Sequence, residues 1–457
     1  MKEKRGALTY VLIAVIALLF IFMLILCGLY LDLIVNGLSS SLPSLPENDK
    51  WILSNRDYAS YSSANDLISP AFLGFKRQDG TMASAVYNES ARKQLTGVLY
   101  DYIGVLFSAD PIKVEYRTDD DKRALLNGIY SSDKYFFASF YEELPSAVFM
   151  PCISSGRTEE YGGEPFFVKY MFVLADSENN IYAYCIDGDS EAVLLYPYEK
   201  TPYNDSSLAA YNDVRGFSGF EFVSETAPVA VFTDSFDVDS VLIAPTSLFY
   251  NYDISDENTG NLLNVLDFNT NMVKVLKSRD DSTISFVENG KELYIVSDEG
   301  RFDYNGYDEG IHLSKFLKYY PQSASGYTFS DKVLAVKYLL NSFDRLIVGG
   351  DALPALTSVT YSDDSVIFRL KYFFNGILLT DSDYDISVEI DENAIKRIEI
   401  DGLFCDRGTL KKPSLPEKMA ISVMNSAENA EYYAIFKIEQ STNQVSLVWA
   451  EKVRGEN

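Results

Sequence analysis

Residues 262–304 read LLNVLDFNTNMVKVLKSRDDSTISFVENGKELYIVSDEGRFDY, a helix-like run followed by strand-like runs. Leu262, Leu263, Val265 and Leu266 give a short helix over Asn258–Phe268 its apolar side. Three strands follow, near Met272–Val275 and at Thr283–Glu288 and Glu292–Ser297. Asn289-Gly290 is the hairpin signal between the last two, because both residues tolerate the left-handed backbone that a tight reversal needs. A fourth strand, Arg301–Tyr304, comes after Glu299-Gly300. The motif is a helix and then an antiparallel meander.

Toward the C-terminus the same design recurs. Ser330 is read as the cap of a helix through DKVLAVKYLLNSFDRL, in which Val333, Val336, Leu339, Leu340 and Phe343 keep one face apolar. Strands are expected at Ala355–Tyr361, Val366–Phe374, Tyr384–Ile390 and Ala394–Ile400, with a turn at Asn375-Gly376. After a crossing punctuated by Pro413 and Pro416, Tyr432–Gln440 and Gln444–Lys452 form a last hairpin about Thr442-Asn443.

Toward the N-terminus, ARKQLTGVLYDYIGVLFS after Ser90 predicts a helix with Leu95, Val98, Leu99, Tyr102, Val105 and Leu106 inward. A second, shorter helix is expected over Asp120–Tyr130, burying Leu125, Leu126 and Ile129. Tyr135–Tyr141, Ala147–Ile153, Pro165–Asp176 and Ile181–Asp187 read as strands, the last two joined by a reversal at Ser177–Asn180.

The chain opens differently. From Ala7 to Leu31 there is no charged residue, and a helix over 7–34 is long enough to cross a bilayer. Lys2, Lys4 and Arg5 place the tail in the cytoplasm and the rest outside. A secretory signal has a shorter apolar core and a small-residue cleavage site, so an uncleaved anchor is expected. The layout expected is a cytoplasmic tail 1–6, a transmembrane helix 7–34, a connector 35–55, and three mixed extracellular domains, 56–235, 236–325 and 326–457. The fold class is α+β: antiparallel sheets, with the last two domains alike in their helix-plus-meander design.

Bulk composition agrees with folded outer domains, since 47% of the 457 residues are hydrophobic and 33 Tyr and 29 Phe favour strands. A net charge of -27 repels phosphate backbones and excludes nucleic acid as a partner. Cys27 falls in the span, leaving Cys152, Cys185 and Cys405 outside. That odd number is no disulfide framework, so free buried thiols are expected over a Cys152–Cys185 bridge.

The block 262–304, with its helix ending in a Phe-Asn segment, its hairpin and its following turn, resembles the middle domain of the YycH family of Firmicute membrane proteins. SVIFRLKYFFNGILL (365–379), DISVEIDENAIKRIEI (385–400) and QVSLVWAEK (444–452) resemble the C-terminal domain common to YycH and YycI. The resemblance implies a non-enzymatic regulator of the sensor histidine kinase WalK, which governs cell-wall metabolism. It implies as partners that kinase and a YycI-like sister protein.

Reactive constellations are sparse. His312 is the one histidine, which excludes multi-histidine metal sites, and a lone loop imidazole is ordinarily a surface group. Ser131-Ser132-Asp133-Lys134 fits the S-x-x-K pattern of wall-acting serine enzymes, but neither K-T-G nor S-D-N accompanies it. Asp119–Asp121 reads as charge at a helix N-terminus, and Asp187–Glu191 lacks calcium-loop spacing. Gly349-Gly350 opens no phosphate cradle. No catalytic residue, metal or cofactor is therefore assigned. The alternatives are an outer peptide- or glycan-binding protein and a wall enzyme using Ser131 and Lys134.

Overall fold

The computed structural model describes residues 67–457 except 78, 86–88, 108–109, 117, 154–165, 176–179, 189–190, 203–216, 234–236, 244–256, 280–282, 297–300, 308, 318–325, 344–352, 362–364, 375, 380–384, 402–404, 414–429, 440–443 and 454–457. The expected tail, span and connector, with Cys27, and the pair Gly349-Gly350 lie outside the described residues. Among the described residues no helix is long and apolar enough to cross a membrane.

The N-terminal half is built on one antiparallel sheet of nine strands. In chain order these are β1 (Phe72–Lys76), β2 (Met82–Ala85), β3 (Ile112–Glu115), β4 (Lys134–Pro145), β5 (Phe167–Ala175), β6 (Asn180–Ile186), β7 (Ala192–Pro202), β8 (Phe217–Phe222) and β9 (Ala230–Phe232). Across the sheet they lie β3-β7-β6-β5-β4-β1-β2-β8-β9, so β3 stands at one edge. Helix α1 (Glu89–Leu106) lies against one face, with Leu95, Leu99, Ile103 and Leu106 fully buried. Tyr102 of α1 meets Phe136 of β4 at 5.8 Å between ring centroids. The opposite face carries an aromatic cluster of Phe72, Phe137, Phe172, Phe220 and Phe232, closed over by Leu126 and Ile129 of α2 (Asp119–Ser131). Each such buried side chain contributes about 1.5–3 kcal/mol, which makes these two layers the main stabilising term of this half.

Two expectations for this half change. Ala147–Ile153 is not a strand: a 3-10 turn, Ser146–Val148, leads into the short helix α3 (Phe149–Ile153). Val148, Phe149 and Cys152 are buried at consecutive and near-consecutive positions, a spacing that carries neither the strand nor a clean helix period. Helix α1 begins at Glu89, so Ser90 stands inside the first turn and not at the cap. The cap of α2, by contrast, is Thr118, whose Oγ1 accepts from Asp121 N at 3.2 Å.

Residues 257–453 contribute a second, twelve-stranded sheet. Helix α4 (Glu257–Val265) precedes the meander β11 (Lys274–Lys277), β12 (Thr283–Glu288), β13 (Lys291–Val296) and β14 (Arg301–Gly306). Asn289 and Gly290 take φ values of 24° and 75°, the left-handed pair that a two-residue hairpin turn requires. After the two-residue strand β15 (Ile311–His312), helix α5 (Phe329–Phe343) precedes β16 (Leu353–Tyr361), β17 (Ser365–Phe374), β18 (Ile377–Leu378), β19 (Ile386–Asp391) and β20 (Ala394–Asp401). Helix plus antiparallel strands is thus seen twice. The two sets share one sheet, because β14 pairs with β20 from Arg301↔Asp401 to Asn305↔Arg397, across the boundary expected at 325–326.

Ser330 does not cap α5. Thr328 does, in a reciprocal pair: Asp331 N donates to Thr328 Oγ1 at 3.2 Å and Thr328 N to Asp331 Oδ2 at 3.0 Å. Strands β22 (Ala430–Glu439) and β23 (Gln444–Val453) form the expected last hairpin, joined to the sheet by parallel pairing of Leu378 with Ile435. A separate ribbon pairs β10 (Asp237–Ile243) with β21 (Cys405–Pro413), a strand that the Pro-punctuated crossing did not suggest.

The halves meet at α5. One side of this helix packs on the second sheet, with Phe343 against Phe302 at 5.8 Å and Phe329 against Phe368 at 5.9 Å. Another side packs on α3. Tyr141 of β4 adds a ring contact to Phe373 at 4.8 Å and a hydrogen bond to the Gly376 carbonyl at 3.2 Å. The described residues accordingly form one compact unit.

Candidate interaction surface

The residues singled out for reactivity are engaged in structural roles. Ser131 ends α2, and its Oγ donates to the Gly128 carbonyl at 2.8 Å, as a helix C-terminus favours. His312 is exposed; its Nδ1 accepts from Ser314 N at 3.2 Å and so caps a single 3-10 turn. Asp119 and Asp120 lie in the first turn of α2, within 3.8 Å of Lys122 and 3.6 Å of Arg123. The Asp187 carboxylate accepts from the Glu191 and Ala192 amides at 2.8 and 3.1 Å, closing the β6–β7 turn on itself. Cys152 and Cys185 are free and buried. Burial pushes both thiols up, the Cys152 thiol to about 12, which favours the protonated form of each. Among the described residues no cluster of His, Cys, Asp and Glu is arranged to hold a metal ion.

The feature that stands out is the open face of the second sheet, and the register defines it. Phe286, Leu293, Tyr304, Ile398, Val388 and Phe368 face one another strand by strand, all fully buried. One residue along each strand, the pleat turns the next row outward: Ser285, Tyr294, Asp303, Glu399, Ser387 and Arg369, all partly buried. One face is therefore a packed layer under α4 and α5, and the other is polar. The alternation in DISVEID and AIKRIEI carries this split already in the sequence.

The outward face interleaves both signs of charge with tyrosine. Arg301 Nε donates to Asp303 Oδ2 at 3.0 Å, Arg397 pairs with Glu399, and the Tyr307 hydroxyl donates to Glu292 Oε2 at 3.2 Å. Tyr307 is 66% exposed. Asp303 Oδ1 is buried without a hydrogen-bond partner. Burial raises the Asp401 carboxyl above its ordinary value; Arg301 pulls it down, while Asp385, Asp303 and Glu399 add to the rise. Exposed ion pairs of this kind stabilise a fold by only about 0–1 kcal/mol each, so a partner can exchange them at little cost. Arg and Tyr are also the residues that anchor protein interfaces. The arrangement offers a charge-patterned platform.

No family model matches the sequence, and no curated protein matches it by sequence. Among solved structures, the chain is similar to YycH from Bacillus subtilis, with a TM-score of 0.55 and 11% identity over 86% of this chain and 95% of that one. It also matches an uncharacterized protein from Eubacterium rectale at a TM-score of 0.32 and 12% identity, over 49% of this chain and 80% of that one. At such identity the first match shows the fold, and the fold is YycH-like: α+β, with mostly antiparallel sheets.

Proposed function

We propose that this chain is a membrane-anchored accessory regulator of a two-component sensor histidine kinase of the WalK type, acting by contact and not by catalysis. The observation that carries the reading is the YycH-like fold, which spans most of both chains. It joins the resemblance of 262–304 and 365–452 to the family whose members tune that kinase. In this reading residues 7–34 cross the membrane with the N-terminus inside, the folded unit stands outside, and a YycI-like sister protein is a second partner. The open sheet face, with Arg369, Arg397, Tyr294 and Tyr307, supports contact as the mode of action.

The test is co-purification of the full chain from membranes of its own cells after mild crosslinking. A sensor histidine kinase is expected in the eluate, and its yield should fall at least about tenfold in R397E, a side chain that is 54% exposed, with circular dichroism to show that the variant is folded. Replacing residues 7–34 by an unrelated span separates the contribution of the helix from that of the outer face. A crosslinked eluate without any histidine kinase overturns the reading.

A further inference from the structure

The strand at the edge of the first sheet has a composition that fits its own copy. β3 pairs with β7 on one side and with no strand on the other among the described residues. All four of its residues are exposed, including Ile112 at 53% and Val114 at 37%. Its backbone orientation follows from the next residue: Tyr116 N donates to Glu191 O at 2.8 Å, in line with the β3–β7 register. In an antiparallel ladder, residues alternate between bonding inward and outward. Ile112, Val114 and Tyr116 therefore bond toward β7, while Lys113 and Glu115 turn their amides and carbonyls outward.

That alternation restricts what can pair there, since an added strand must meet the outward residues with its own outward residues. For a second copy related by a two-fold axis the pairing is antiparallel, and three registers keep this match. One sets Lys113 against itself and Glu115 against Pro111, which lacks an amide hydrogen. Another sets Glu115 against itself. The third centres the axis on Val114, sets Lys113 opposite Glu115 of the second copy at both ends, and brings Ile112 opposite Tyr116. Only this one joins opposite charges, exchanges every outward backbone group and covers the exposed apolar side chains. Charge on an edge strand ordinarily guards against pairing; here the order Ile-Lys-Val-Glu makes it self-complementary. Lys113 and Glu115 now lie 3.1 Å apart on one strand, and pairing would trade that contact for two between copies.

We propose that β3 is a homodimerisation edge, joining two copies of this chain through an antiparallel β3–β3 pair with its axis at Val114. The proposal is independent of the kinase reading. The test is sedimentation of the purified full chain, with V114C as a second measurement. The wild type should dimerise, K113E should weaken the dimer by about tenfold or more, and the swap K113E/E115K should restore it to within about threefold. In V114C the two new thiols face each other across the axis, so mild oxidation should give a covalent dimer absent from the wild type. Circular dichroism confirms that each variant is folded. A wild type monomeric throughout, a dimer indifferent to K113E, a swap that does not recover, or V114C without a covalent dimer overturns the proposal.

Discussion

Asp267 sits just past the end of α4 in a left-handed conformation, φ 66°, and ties three segments together. Lys291 from the β12–β13 hairpin donates to its carbonyl at 3.0 Å and its Oδ2 at 3.1 Å, while Lys315 donates to its Oδ1 at 3.2 Å and to the Asn264 carbonyl. Burial alone would raise this carboxyl; the ammonium groups of Lys315 and Lys291 more than offset it and hold it below 3.8. A carboxyl depressed in the fold contributes stability that is present above its unfolded value and lost as pH falls through the folded one. Asn also tolerates the left-handed region, so D267N isolates the charge. It should cost about 0.5–1 kcal/mol at pH 7, a modest figure because the side chain is 53% exposed, and the cost should shrink as pH falls below the unfolded carboxyl value and through the folded one, read as the shift in urea midpoint. None of this was legible in the sequence, where Asp267 is one of 66 acidic residues. The same holds for Asp303 and Glu399 on the open face: alternation marks them as outward, but only the pairing of β14 with β20 makes them neighbours. Ser131 and His312, which the sequence does bring forward, turn out to be helix-end residues because short polar groups at such ends bond the nearest backbone first.

Among the elements, α5 does the joining. Phe343 is fully buried and meets Phe302 of β14, while the same helix packs on α3 of the other half. F343A leaves a cavity between α5 and the second sheet and should cost about 3–5 kcal/mol, measured by urea unfolding. Long periodic elements such as α1, α2, α5 and the β12–β13 hairpin were readable because each has one wet and one dry side. The segment 147–153 was not, because its buried Val148, Phe149 and Cys152 follow no clear period, and neither was β21, whose Arg407, Gly408, Lys411, Lys412 and Pro413 carry no strand pattern. Its pairing with β10 comes from far along the chain, and local periodicity holds no information about such partners.

For the molecule as a whole, Trp449 of β23 reports on unity, because this C-terminal residue packs against the aromatic cluster of the N-terminal sheet. The other tryptophan is Trp51, so W51F leaves Trp449 as the only indole. Its emission should shift in step with far-ultraviolet circular dichroism through a single unfolding transition; an earlier shift would mean that the halves part before they melt. The position of Trp449 also bears on biosynthesis. A ribosome delivers the aromatic nest of Phe72, Phe137 and Phe172 long before the strand that helps shield it, and β10 likewise waits for β21. A nascent chain halted short of Gln444 should therefore expose greasy surface and engage chaperones, and loss of the last few dozen residues should be felt at the opposite end of the polypeptide.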